Sequence, residues 1–240
     1  MGSVEDAYLT GDKRTEKVRI FFSSIYDKYD ITNKIMTFGL DIYWRTVALS
    51  YISMGSNKSV LDIGTGTCDI PLYLIKKGFK GSITGIDITR DMLKVGYKKL
   101  YTNKKKVNLI EGNVFTLPFK DESFDYVISA YTFRNISPID DAIAEVNRIL
   151  KKSGLFILLE ISIPTNEVIR EIHKKVFLKV GPYIGGILSK NEAAYSYLPQ
   201  SLLSFPARNE IIKKFYLAKF KNCRYRDCTL GTATVFLGNK

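Results

Sequence analysis

The stretch VLDIGTGTCDI, residues 60–70, constrains the fold of this chain more than any other part of its sequence. It predicts a buried strand that runs into a glycine-rich turn at Gly64 and Gly66, where the backbone can approach a ligand closely. A dinucleotide fingerprint needs a third glycine three residues after the second, and this chain has Asp69 there. A phosphate-binding P-loop fails as well, because no Gly-Lys-Ser/Thr follows. The turn is therefore predicted to hold a ligand of another kind.

The remaining pattern predicts an α/β fold with a doubly wound, mostly parallel seven-stranded sheet. We expect one domain with an N-terminal helical segment (1–55), a ligand-binding core (56–160), a helical cap insertion (161–206) and a final helix with two strands (207–240). The N-terminal helices either pack against the sheet or cover a pocket. Strands are predicted over residues 59–64, 82–87, 107–113, 124–130, 155–160, 223–228 and 232–238, and helices over 69–77, 90–101, 139–150 and 207–220.

Charge and composition narrow the classes of partner. The chain has 36 Lys and Arg against 24 Asp and Glu, a formal charge of +12 that attracts nucleic acid, anionic lipid or an acidic ligand. The lysines are scattered near predicted helix ends, which favours a solvated surface.

The 3 cysteines match no zinc module, so we expect free thiols, no metal and a reducing compartment. No apolar run approaches the roughly 20 residues of a membrane-spanning helix, and we expect a cytoplasmic protein.

Polar side chains at three consecutive predicted strand ends indicate one ligand. Asp62 lies beside the turn, where a carboxylate attracts an amine or a sulfonium. Asp87 ends the second strand, 21 residues after Gly66, where related sheets place the acid that accepts both ribose hydroxyls. Asn113 ends the third strand, within reach of an adenine edge. This set resembles the class I S-adenosylmethionine-dependent methyltransferases, which have a Rossmann-like fold and a first motif of an acid, a small apolar residue and Gly-x-Gly.

Four longer segments are similar to a narrower family, the UbiE/COQ5 quinone-ring C-methyltransferases. They are FFSSIYDKYDITNKIMTFGLDIYWR, LPFKDESFDYVISAYTFRNI, ILKKSGLFILLEISIP and YSYLPQSLLSFP, and the likeness runs from about residue 17 to the C-terminus. The resemblance implies methyl transfer from S-adenosylmethionine to a ring carbon of a prenylated quinol precursor of menaquinone or ubiquinone. Because such a substrate lives in the bilayer, it also implies transient contact with the membrane surface, assisted by basic residues. A homodimer is among the expected assemblies, and nucleic acid is not an expected partner.

The resemblance also implies roles for individual residues. Arg134 would stabilise the phenolate of the acceptor, because it stays charged at any working pH, with Asn135 beside it; a different possibility for Arg134 is an ion pair with Asp140 or Asp141. Ser129 is expected beside the reacting sulfonium, and Tyr29 is expected to close the site. The complete cofactor set is Tyr29, Asp62, Gly64, Gly66, Asp87, Ile88, Met92, Asn113, Val114 and Ser129, and the substrate set is Phe133, Tyr195 and Tyr197.

The chain departs from the family pattern at two places. The family usually ends the glycine-rich turn with Gly-Thr-Gly-Asp, whereas this chain has Gly66-Thr67-Cys68-Asp69, so Cys68 adds a side chain there. Phe236 and Leu237 stand before the last glycine, where the family often carries His-Arg.

Other functions stay open on the residues alone. Methylation of another small molecule, such as a sterol or a tocopherol-like ring, would use the same cofactor site. Methylation of nucleic-acid bases is disfavoured, because residues 130–133 read AYTF instead of Asn/Asp-Pro-Pro-aromatic. A non-catalytic binding module is disfavoured by the acids at the strand ends. His173 lies in the lysine-rich run IREIHKKVF and is expected to be a solvated helix residue.

Overall fold

The computed structural model describes residues 11–55, 57–103, 106–175 and 201–240. Residues 176–200, which hold much of the predicted cap insertion together with Tyr195 and Tyr197, lie outside the described ranges. No helix within those ranges has the length and apolar character needed to cross a membrane.

A seven-stranded, mostly parallel sheet forms the centre of the molecule, which confirms the predicted fold class. The strands are β1 (Ser59–Ile63), β2 (Ser82–Asp87), β3 (Asn108–Glu111), β4 (Phe124–Ala130), β5 (Leu150–Ile161), β6 (Lys221–Cys228) and β7 (Ala233–Asn239). Their order is β3-β2-β1-β4-β5-β7-β6, and β7 is antiparallel to both of its neighbours. The strand order reverses between β1 and β4, and such a switch point opens a crevice at the carboxyl ends of the strands.

The described residues include eight α-helices. They are α1 (Gly11–Ile25), α2 (Tyr29–Met36), α3 (Leu40–Leu49), α4 (Asp69–Lys76), α5 (Arg90–Thr102), α6 (Ile139–Ile149), α7 (Glu167–Lys175) and α8 (Arg208–Leu217). Helix α6 illustrates why the sequence forms them. Its residues Ala142, Val146 and Ile149 recur at spacings of four and three and are fully buried, so one apolar stripe faces the core.

Two hydrophobic clusters sandwich the sheet, because successive strand residues point to opposite faces. Val60 packs on one face with Trp44 and Leu74. Leu61, the next residue, packs on the other face with Ile143 and Phe156. The strands are therefore apolar on both sides, as expected for a parallel sheet covered by two layers of helices.

The sequence prediction misplaced the start of β5. This strand begins at Leu150, five residues early, because Leu150 pairs with Phe124 before a register shift brings Leu155 opposite Tyr126. The intervening Ser153 has a φ of 64°, which is typical of a bulged or turning segment.

Phe236 and Leu237, the second departure from the family pattern, belong to the core. Phe236 is fully buried in one hydrophobic cluster and Leu237 in the other. The following Gly238 is required by close packing, since a Cβ there would lie 2.8 Å from Phe215.

The N-terminal helices both pack against the sheet and reach the crevice. In α3, the buried indole of Trp44 donates a hydrogen bond to Thr229 Oγ1 at 2.8 Å. In α1, Arg14 donates hydrogen bonds to the carbonyl oxygens of Arg134 at 3.0 Å and Asn135 at 3.3 Å. The two roles that the sequence left open are therefore both fulfilled.

Candidate functional site

Two adjoining cavities lie at the carboxyl ends of β1, β2, β3 and β4. The large cavity has a volume of about 750 Å³ and the small cavity about 330 Å³. Tyr29, Gly64, Gly66 and Tyr131 line both. The predicted site residues that line the large cavity are Tyr29, Gly64, Gly66, Asp87, Ile88, Met92, Asn113, Val114 and Asn135, and Asp62 lines the small one.

The glycine-rich turn fits tightly between its neighbours. Gly64 has a φ of +70°, and a Cβ added to it would lie 2.2 Å from Thr132 Oγ1, so no other residue fits there without displacing Thr132. Gly66 has a φ of +52°, which again favours glycine. The backbone of the turn is therefore bare where it faces both cavities.

Cys68 does not obstruct the turn. Its φ is +66°, its side chain is fully buried, and it lies among the lining residues of neither cavity. The sulfur packs against Gly96 of α5, where an added Cβ would lie 2.3 Å from Sγ. Burial raises the pKa of the thiol to about 12, so Cys68 serves as a packing residue.

Asp87 fixes the turn while it faces the large cavity. The backbone N–H groups of Gly66 and Thr89 each donate a hydrogen bond of 2.8 Å to its carboxylate oxygens. Burial raises the pKa of Asp87, and the two backbone donors oppose that rise. Each carboxylate oxygen has a further lone pair, so Asp87 is still able to accept ligand hydroxyls.

Asp62 is a buried carboxylate whose bonding is incomplete. It is 1% exposed, and its Oδ2 has no hydrogen-bond partner among the described residues. Burial raises its pKa to about 7, assisted by the nearby charge of Asp87. A cationic ligand in the small cavity would supply the missing partner and favour the ionised form.

The part of the large cavity next to the end of β3 suits a flat ring with polar edges. Asn113 Oδ1 accepts a hydrogen bond from the N–H of Phe115 at 3.1 Å, which fixes the side chain at the start of a short helical turn. Its amide nitrogen is thereby left for a ligand. Ile88, Met92 and Val114 supply apolar walls.

A polar network ties α2 to the glycine-rich turn. Thr67 Oγ1 donates to Asp30 at 2.6 Å, and Lys99 Nζ lies 2.5 Å from the Asp30 carboxylate and 3.0 Å from that of Asp69. Asp30 follows Tyr29, the residue of α2 that lines both cavities. The network therefore holds Tyr29 over the turn.

Arg134 is part of a buried ion pair. Its Nη1 lies 3.0 Å from Glu160 Oε2, and its backbone N–H donates to Glu160 Oε1 at 3.2 Å. The alternative pairing with an acid of α6 is wrong, because Asp140 pairs with Lys214 and Arg134 with Glu160. Arg134 lines neither cavity, whereas its neighbour Asn135 lines the large one. The Oδ1 of Asn135 is buried and has no hydrogen-bond partner among the described residues.

Besides Arg134, two further predicted site residues line neither cavity. The Ser129 hydroxyl is fully buried inside the sheet and donates to the Ile63 carbonyl oxygen at 2.7 Å. The Phe133 ring is fully buried in the core, 5.5 Å from the ring of Phe156. The resemblance to the family implied both roles. Side chains alternate between the two faces along β4, so a residue near the end of this strand need not reach a cavity.

Sequence reasoning missed Tyr131, which lines both cavities. This residue directly follows β4, and its position after a parallel strand end is the signal that would have found it. The guanidinium carbon of Arg45 lies 5.2 Å from the centre of its ring. Arg45 is fixed in turn by ion pairs with Asp41 and, at 3.3 Å, with Asp69.

His173 differs from the expectation of a solvated residue. It is 6% exposed, and burial lowers its pKa to about 4, so the imidazole is neutral near pH 7. It lines neither cavity. In the described part of the chain, no group of His, Cys, Asp and Glu side chains is arranged to hold a metal ion.

The known proteins whose sequences resemble this chain are methyltransferases. The profile of the ubiE/COQ5 methyltransferase family matches residues 10–240. The ubiquinone/menaquinone biosynthesis C-methyltransferase UbiE of Geotalea daltonii is 35% identical over 231 residues, which are 95% of this chain and 98% of that protein. The demethylmenaquinone methyltransferase of Staphylococcus aureus is 36% identical over 226 residues, 94% of this chain and 93% of the relative.

Solved structures resemble the fold at lower identity. A S-adenosylmethionine-dependent methyltransferase from Thermotoga maritima, described as a possible histamine N-methyltransferase, has a TM-score of 0.67 at 18% identity, covering 92% of this chain and 98% of that one. Phosphoethanolamine N-methyltransferase 2 from Haemonchus contortus, solved with S-adenosyl-L-methionine, has a TM-score of 0.62 at 14% identity, covering 82% of this chain and 52% of that one.

Proposed function

The chain belongs to the ubiE/COQ5 methyltransferase family, and from that premise we propose that it methylates a ring carbon of a prenylated quinol in quinone biosynthesis. The methyl donor is S-adenosylmethionine, in keeping with the family. The acceptor is a demethylmenaquinol or a ubiquinone-type precursor, as the names of the relatives indicate.

The incomplete bonding of Asp62 supports the cofactor part of this proposal, whereas the acceptor rests on the family. Its unpartnered Oδ2 at the small cavity suits the positive charge of the cofactor's amino-acid end. The bare backbone at Gly64 and Gly66 leaves room for the ligand, and Asp87 offers lone pairs to the ribose hydroxyls. Asn113 and its apolar neighbours would hold the adenine. The residues present therefore fit this cofactor.

The chemistry requires electron density on the acceptor carbon, which loss of a proton from a ring hydroxyl provides. S-Adenosylmethionine, when bound, would supply an electrophilic methyl group: its S–CH3 bond breaks as the bond to the ring carbon forms, S-adenosylhomocysteine leaves, and one net proton passes to solvent as the ring regains aromaticity. Asn135 would orient the acceptor by accepting a hydrogen bond from a ring hydroxyl with its free Oδ1. Arg134, the neighbour of Asn135 in the sequence, would add positive charge, although its pairing with Glu160 offsets part of it. Tyr29 and the N-terminal helices would exclude water from the site.

Contact with the membrane surface follows from the nature of the acceptor. A prenylated quinol resides in lipid, and the formal charge of +12 draws the protein to anionic headgroups. We therefore propose transient association with the membrane.

A binding experiment and a product experiment test the function together. Calorimetry with S-adenosylmethionine and, separately, with NAD should detect binding of the former alone. Asp87→Asn should weaken that binding at least tenfold, because it removes the charge that faces the ribose, whereas Asp91→Asn in the first turn of α5 should leave it unchanged. Mass spectrometry of a reaction with a short-chain demethylquinol should find one added methyl group on a ring carbon. Binding of NAD, or a methyl group on oxygen, would contradict the proposal.

A further inference from the structure

The backbone of Tyr131 is held in an unusual conformation beside the cavities. Its φ is +61°, and its N–H donates a hydrogen bond of 2.8 Å to the carbonyl oxygen of Leu159. For a residue with a side chain this left-handed conformation costs about 1–2 kcal/mol. Such strain persists only where the surroundings fix it, and it is concentrated at functional sites.

The hydroxyl of Tyr131 has no hydrogen-bond partner among the described residues, although the side chain is only 7% exposed. A buried hydroxyl without a partner costs about 1–3 kcal/mol. Because Tyr131 lines both cavities, a ligand bound there is positioned to complete its bonding.

The sheet order indicates which ligand Tyr131 meets. Asp87 and Asn113 follow β2 and β3, on one side of β1, while Tyr131 follows β4, on the other side. If the first pair holds the nucleoside and Asp62 the amino-acid end in the small cavity, the β4 side of the large cavity is left for the acceptor. Phe22 and Ile136 line the same large cavity and offer apolar surface to an aromatic ring.

We propose that Tyr131 Oη donates a hydrogen bond to the phenolate oxygen of the acceptor and so favours its ionised form. This inference rests on the proposed function. The proton stays on Tyr131, because burial raises the pKa of its phenol and keeps it neutral. The charged groups that act on the ring are Arg45 and Asp41 of α3, Arg134 after β4 and Glu160 of β5. The two cations among them favour negative charge at the acceptor oxygen, and their pairing with Asp41 and Glu160 offsets part of that effect.

Removal of a single oxygen atom tests the proposal. Tyr131→Phe keeps the ring and its contact with Arg45, and Tyr97→Phe, at a tyrosine of α5 that is 63% exposed, is the matched control. For each protein we would measure the Kd of S-adenosylmethionine by calorimetry and the pH dependence of kcat with a short-chain demethylquinol. The pKa of 1-naphthol bound together with S-adenosylhomocysteine, read from its absorbance, gives a measurement without turnover.

We expect Tyr131→Phe to change the cofactor Kd less than twofold. The kcat should fall roughly tenfold to a hundredfold, as for loss of a hydrogen bond to a charged group. The acid limb of the kcat profile and the pKa of bound naphthol should both move up by about one unit. Tyr97→Phe should match the wild type in every measurement.

Two results would overturn the inference. One is a variant with unchanged kcat and an unchanged pKa of bound naphthol. The other is a loss of cofactor affinity as large as the loss of kcat, because the hydroxyl would then serve the cofactor. Failure of the proposed function is distinguishable, since the wild type would then bind the cofactor and methylate no quinol.

Discussion

Arg134 and Glu160 form a buried ion pair of 3.0 Å that joins the segment after β4 to the end of β5. The exposed fractions of the two side chains are 8% and 0%. Removing one partner of such a pair leaves an uncompensated charge in the core, which costs about 3–5 kcal/mol. Glu160→Gln should therefore lower the free energy of unfolding in urea by that amount.

Glu122→Gln is the control for this change, since Glu122 is exposed and lies 4.0 Å from Lys240. Its effect should stay below about 0.5 kcal/mol. The double variant Arg134→Met with Glu160→Leu should recover much of the loss, because no unpaired charge remains. Equal effects of the two glutamates would contradict the buried pairing.

Asp62 should make stability depend on pH near neutrality. Its pKa is about 7 in the folded protein, against about 3.9 in an unfolded chain. A raised carboxylate pKa means that the folded state holds the proton more tightly than the unfolded state does. The stabilisation of the folded state by this proton is therefore complete below about pH 4 and is lost as pH rises through 7. Asp62→Asn should remove a pH dependence on the order of a few kcal/mol between these limits.

Urea unfolding from pH 4 to 8 measures this effect, with Asp141→Asn, at an exposed aspartate of α6, as the control. In addition, a cationic ligand beside Asp62 should expel its proton. Calorimetry of S-adenosylmethionine at pH 6.5 in two buffers of different ionisation enthalpy should detect release of up to one proton. Identical heats in both buffers would argue against contact between the ligand and Asp62.

Gly96 should tolerate a side chain only when Cys68 loses its own. A Cβ at Gly96 would lie 2.3 Å from Cys68 Sγ. Gly96→Ala should thus lower the free energy of unfolding by about 1–3 kcal/mol, and Cys68→Gly should restore much of it in the double variant. Gly55→Ala, whose Cβ would lie 3.7 Å from its nearest neighbour, is the control. Additive effects of the two changes would contradict their contact.

Lys99 should hold α2 in place. Lys99→Met breaks the contacts with Asp30 and Asp69, so α2 should open more often. Trypsin should then cleave after Lys34 faster than in the wild type, at a rate measured by mass spectrometry. Lys98→Met, at the exposed neighbouring lysine, should leave the cleavage rate unchanged. Equal rates of cleavage after Lys34 in the two variants would show that contacts other than those of Lys99 hold α2 in place.

The fold was predictable because its signals are local. The alternation of strand and helix patterns predicted all seven strands, and the helix predicted over residues 139–150 matches α6 (Ile139–Ile149). The start of β5 was missed, since a bulge at Ser153 interrupts a strand in which Lys, Ser and Gly resemble a turn.

The site was predictable where it follows from strand ends. Asp62, Asp87 and Asn113 lie where the parallel sheet brings carboxyl ends together. The pairing of Arg134 with Glu160 spans 26 residues, and the approach of α1 spans more than a hundred, so neither leaves a local pattern. Tyr131 was missed for a different reason, because an aromatic residue after a strand reads equally well as core.

Trp44 is the single tryptophan of the chain, and it joins the N-terminal helices to the turn between β6 and β7 through its bond with Thr229. It is 2% exposed and precedes Arg45, which lines the small cavity. All tryptophan fluorescence of the protein therefore originates at one place, one residue away from the lining of the small cavity. The chain thus contains its own optical reporter, whose emission should move to longer wavelength whenever α3 separates from the sheet.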